Sequence, residues 1–179
     1  MSVSAGASAA TTASPPKAPA LIMGLGLGGF VDGILFHQIL QWHHMLTDTG
    51  EYPAGTLAGL ETNTLVDGFF HAATWLLVVG AMLLTVRAWQ RRELAPPWRT
   101  HAGMLLTGWG AFNLVEGVVD HHILTLHHVR DDLGAPPGWD LAFLALGVVL
   151  VVAGLALARS GQRIAQEHDG GGAAQAFAS

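Results

Sequence analysis

The chain has no cysteine, which removes disulfides, thiolate zinc sites and iron–sulfur clusters together. Charge is scarce as well. Asp, Glu, Lys and Arg make up 12% of the 179 residues, against roughly 25% in a soluble domain. The eight Lys and Arg form no basic stripe, so nucleic acid is not an expected partner. What remains is 51% hydrophobic, with a mean hydropathy of +0.42, a balance that points to the lipid bilayer. Against this apolar background ten histidines stand out.

Residues 1–19 are Ala, Ser, Thr and Pro with one lysine, and residues 160–179 are Gly- and Ala-rich. Neither can bury a core, so both are expected to be disordered tails. The apolar run after Lys17 is long enough to read as a first anchor rather than a cleaved signal. Between the tails lie four apolar stretches, 20–46, 63–90, 99–129 and 139–159, each near the ~20 residues that a spanning helix needs. The expected fold is an all-α integral membrane four-helix bundle built from two helical hairpins in a parallel repeat. Gly24, Gly28 and Gly29 offer the first helix a small-residue face. Trp42, Trp98 and Trp139 fit as interfacial anchors. Every basic residue except Arg130 falls at one end of the helices, and Arg130 shares the other end with Asp48, Glu51, Glu61, Asp131 and Asp132. The positive-inside rule then puts both termini in the cytoplasm.

Residues 29–44, "GFVDGILFHQILQWHH", align with residues 113–128, "NLVEGVVDHHILTLHH". Asp32 pairs with Glu116, His37 with His121, and His43–His44 with His127–His128. The second helix adds Asp67 and His71, one turn apart, whereas the fourth keeps only Asp140 at its start, so the second hairpin is not a full copy of the first. At about 100° per residue, Asp32 and His43 point within roughly 20° of each other, and Glu116, Asp120 and His127 likewise lie together. Gln38 and His122 fall toward the lipid side. Such polar arcs must face protein or water. With the first helix running outward, all these groups collect in the outer half of one bundle.

Neutral imidazole and carboxylate together suit copper, iron or zinc, and four-helix bundles hold dinuclear centres with inward Glu and His. The metal-ligand candidates are His37, His43, His44, Asp67, His71, Asp120, His121, His127 and His128, with Asp32 and Glu116 as the catalytic pair bridging metals or moving protons. The spacing departs from the usual Glu-x-x-His. Asp32 and His37 are five residues apart and cannot meet one ion from a straight helix without a bulge. Three other readings stay open. Haem b could take His37 and His121, or His44 and His128, as axial ligands, although both pairs together would be only about 10.5 Å apart in level. A proton or cation relay would use the same groups, but the inner half of the second helix, "WLLVVGAMLLTV", is nearly all apolar. Interhelical hydrogen bonding alone is the third.

The motifs "VDGILFHQILQWHHM" (31–45), "DGFFHAATW" (67–75) and "LVEGVVDHHILTLHH" (114–128) resemble those of a family of small four-helix bacterial integral membrane proteins, a domain of unknown function. The resemblance covers residues 20–160 and implies a bacterial inner membrane. It also implies a link to copper-delivery proteins of cytochrome oxidase assembly, which points to copper, whereas the carboxylates point to iron or zinc. Two function classes follow. One is a membrane metalloenzyme, a metal-dependent oxidoreductase that activates water or oxygen or exchanges electrons with quinone. The other is a non-catalytic copper or zinc carrier at the periplasmic face. Respiratory-chain or copper-delivery proteins, or a second copy of the chain, are the partners these classes imply.

Overall fold

The computed structural model describes residues 16–91 and 98–176; residues 1–15 of the expected N-terminal tail lie outside the described residues. Four long helices account for nearly all of it. Helix α1 spans Ala18–Val31 and continues as a π-helix over Asp32–Ile39. Helix α2 is Leu57–Gln90, α3 is Trp98–Val118 with a π-helical extension Val119–Ile123, and α4 is Pro137–Ala176. Each holds a stretch long and apolar enough to cross a membrane: Ala18–Ile39, Leu57–Gln90, Trp98–Ile123 and Pro137–Glu167.

Local chemistry sets the ends. Pro19 stands in the first turn of α1, where its missing N–H costs nothing. The Thr56 hydroxyl caps α2 by accepting from Gly59 N at 3.1 Å. Four boundaries differ from the sequence reading, the second helix beginning at Leu57 rather than 63. The first helix stops at Ile39 rather than 46 and the third at Ile123 rather than 129, because Gln41 (φ 52°) and Thr125 (φ 47°) turn the chain into the left-handed region. The fourth runs past 159 to Ala176. Its extra turns are rich in helix formers such as Gln162, Arg163, Ala165 and Glu167, and Gly161 packs on Thr100.

The helices pack in the order α2–α1–α3–α4, with α1 and α3 in the middle. Glycine sets how closely. A Cβ on Gly24 would lie 2.0 Å from the Leu105 carbonyl oxygen, and one on Gly108 2.0 Å from that of Leu21, so α1 and α3 touch backbone to backbone. Gly26 does the same toward Thr74 and Val78 of α2, and Gly110 toward Gly147 and Val151 of α4. The alternating glycines of "GLGLGG" thus serve two neighbours, as small residues do between membrane helices.

Overpacking of this contact should be costly. Gly24→Ala or Gly108→Ala should destabilise the protein by about 1–3 kcal/mol, read as a lower melting temperature in detergent. Gly80→Ala, where a Cβ meets nothing within 4 Å, should leave it unchanged or raise it, since Ala favours helix by up to about 1 kcal/mol.

Candidate metal centre

The five-residue spacing of Asp32 and His37 is resolved by the backbone. In a π-helix the hydrogen bonds run from i to i+5, as in Leu40 N to Leu35 O and Leu124 N to Val119 O, both 2.8 Å. Residues five apart then lie on one face. His37 Nε2 is 3.0 Å from Asp32 Oδ2, and His121 Nε2 is 3.0 Å from Glu116 Oε1. The bulge that a straight helix lacks is present in both α1 and α3.

Past the left-handed Gln41 and Thr125, the chain folds back over the adjoining ends of α1 and α3. The two return segments cross and bond reciprocally: Asp48 N donates to Leu126 O (3.0 Å) and Asp132 N to Trp42 O (3.1 Å). This fold-back drops His43 and His127 between α1 and α3. Their rings stack at 4.6 Å, with His37 4.6 Å from His43 and His121 4.9 Å from His127. His37, His43, His121 and His127 are fully buried, and Asp32 and Glu116 nearly so. Two overlapping groups bring ligand atoms within 4.8 Å of one another: His37, His43 and His127; and Glu116, His121 and His127.

Outer groups hold these rings in place. His37 Nδ1 lies 2.9 Å from Asp67 Oδ1, and His43 Nδ1 donates to the Val129 carbonyl at 3.0 Å. Asp67 also meets His44 Nδ1 at 2.7 Å and accepts Met45 N at 3.0 Å. Asp140 repeats this pattern on the other side. It meets His128 Nδ1 at 2.7 Å, accepts Val129 N at 2.9 Å and sits 3.2 Å from His121 Nδ1. Asp140 thus makes contacts that correspond to those of Asp67. Asp140 was missing from the expected ligand set, and its signal was short: Asp67 and Asp140 each precede a phenylalanine by three residues. Phe70 and Phe143 then flank His37 and His121 at 5.6 and 5.5 Å.

Not every candidate joins this cluster. His44 and His128 stand behind Asp67 and Asp140 rather than among the inner rings. His71 turns its Nδ1 to the Asp67 backbone oxygen, 2.7 Å away. Asp120 is half-buried, and its backbone oxygen accepts Leu126 N at 2.9 Å. Gln38, read as lipid-facing, reaches back to donate to Asp67 Oδ2 at 3.3 Å.

Several inner atoms have no hydrogen bond: Asp32 Oδ2, Glu116 Oε2, Nε2 of His37, His43 and His121, and Nδ1 of His121 and His127. The 3.0 Å approaches of His37 and His121 to their carboxylates lack hydrogen-bond geometry. Orphaned polar atoms are expensive in a dry interior, and lone pairs converging without hydrogen bonds suit a cation. Burial, with the neighbouring His127, pushes the His43 imidazole down to about 3, and burial likewise pushes His127 down to about 3; both lie past the ends of the spans. Neutral imidazole is the form that ligates metal.

The Asp67 carboxylate carries four hydrogen bonds, with His37, Gln38, His44 and Met45 N, so Asp67→Ala should destabilise strongly. At about 1–3 kcal/mol for each partner left unsatisfied, its melting temperature in detergent should fall far more than that of Asp132→Ala, which loses one exposed ion pair with Arg130.

No curated protein and no solved structure matches the chain. Residues 19–161 match the sequence model of the family described as predicted membrane protein (DUF2243). The chain belongs to that family.

Proposed function

We propose that this protein is an integral membrane metalloprotein with a His/carboxylate centre between α1 and α3. The ligands on this reading are His37, His43, His121 and His127, with Asp32 and Glu116 as the acidic pair. The observation that carries it is the set of buried, unbonded ligand atoms on these six residues. Asp67 and the Val129 carbonyl are the orienting groups, bonded to Nδ1 of His37 and His43 as second partners of ligating histidines are, while Asp140 approaches His121 Nδ1 at 3.2 Å without a hydrogen bond.

A bound transition metal would supply Lewis acidity or, as copper or iron, electron exchange. The chain's own part is to hold His43 and His127 neutral, fix the direction of the rings and exclude water. Close packing of the rings favours an ion over haem b, because the stacked His43 and His127 occupy the space between His37 and His121 that a macrocycle would need. Near-complete burial favours a resident metal, as in an enzyme or redox carrier. The alternative, a copper or zinc carrier at the periplasmic face, predicts rapid loss to chelators. The distribution of Lys and Arg supports an inner-membrane protein with both termini cytoplasmic and the centre toward the periplasmic side, and the corresponding contacts of the two halves support two hairpins in parallel repeat.

Elemental analysis of protein purified in detergent without a His-tag tests this. His37→Ala and His121→Ala should each lose most of the metal found in the unsubstituted protein. His101→Ala, exposed near the start of α3, should retain it. Full metal content in both inner variants would overturn the assignment.

A further inference from the structure

The two halves of the site also differ where the return segments lie. His44 and His128 correspond, each with Nδ1 2.7 Å from the aspartate behind it. Asp48 and Asp132 correspond too, as the reciprocal backbone bonds of the return segments show. Beyond that the environments part. Asp132 is clasped by Arg130 at 2.8 and 2.9 Å. That guanidinium also lies over Trp42 at 4.3 Å and Trp139 at 5.2 Å, so the Asp132 carboxylate is neutralised by a held cation. Among the described residues Asp48 has no such cation. Its carboxylate, 42% exposed, stands 3.4 Å from His128 Nε2, and the His128 side chain is 21% exposed against 9% for His44.

From Asp48 a line of ligand-type groups leads inward. His128 Nδ1 meets Asp140 Oδ2 at 2.7 Å, and Asp140 Oδ1 lies 3.2 Å from His121 Nδ1. That nitrogen is buried, in a residue 1% exposed, and has no hydrogen bond. The line thus ends on an unpartnered atom of the inner cluster. In the other half His37 Nδ1 is hydrogen-bonded to Asp67.

We infer that Asp48 and His128 form a loading site at which a divalent cation is captured from the outer aqueous phase and passed inward by Asp140 to His121. This rests on the reading of the inner cluster as a metal centre. A buried centre needs an entrance, and the exposed carboxylate draws a cation electrostatically while Arg130 repels one from the matching position. No covalent or redox step is involved. The ion exchanges water for one carboxylate and imidazole after another.

The test separates rate from capacity. Metal-free protein in detergent is mixed with Co2+ at low ionic strength; uptake is followed by visible absorption and the final content by elemental analysis. Asp48→Asn should slow uptake about tenfold with the final content unchanged, and added salt should narrow the difference. His128→Ala should also load slowly, whereas Asp132→Asn should load at the unsubstituted rate. Uptake by Asp48→Asn as fast as that of the unsubstituted protein, with full content, would overturn the loading site and leave the centre standing. Failure of the unsubstituted protein to take up any Co2+ would overturn both.

Discussion

Hydrocarbon offers no hydrogen bonds, so ionisable groups buried among these helices must find partners inside the protein. The arrangement follows from that constraint. The inner polar groups come from α1 and α3, the two central helices, and from the segments folded back over their ends. Glycines let α1 and α3 meet backbone to backbone, while α2 and α4 each contribute one carboxylate from the flank, Asp67 and Asp140. The π-helical stretches bring a carboxylate and a histidine five residues apart onto one face. The left-handed Gln41 and Thr125 send the next histidines back over the site. Such backbone is held at a cost of about 1–3 kcal/mol per residue, here offset by the crossed bonds of the return segments.

Much of this was legible in the sequence, for a physical reason. Lipid forces polar residues to one side, so Asp32, His37, Glu116 and His121 declare an inward face against the apolar residues around them. The four spans were visible in composition and length. The helix ends were less so, because 40–46 and 124–129 contain Leu, Met, Trp and Val that read as continuing helix; the backbone turn at Gln41 and Thr125 depends on bonds between the two return segments, which no local window contains.

The largest gap lay in helical register. Projection at a fixed angle per residue separates Asp32 from His37, and only a change of hydrogen-bond pattern rejoins them. The same projection put Gln38 toward lipid, whereas it reaches Asp67. Asp140 was underweighted because α4 carries no histidine to match His71. Its equivalence to Asp67 shows in contacts: both stand between a helix histidine and the second histidine of a His–His pair, and both accept a backbone N–H from the residue after that pair.

The central claim is that an ion completes a set of buried imidazoles and carboxylates whose inner atoms otherwise lack partners. X-ray absorption at the edge of whatever metal the tag-free, detergent-purified protein carries tests it most directly. The account predicts a first shell of nitrogen and oxygen only, with the outer-shell scattering of several imidazoles and no Soret band in the optical spectrum. A porphyrin signature, or protein that holds no metal as isolated and takes up none when one is supplied, would contradict it.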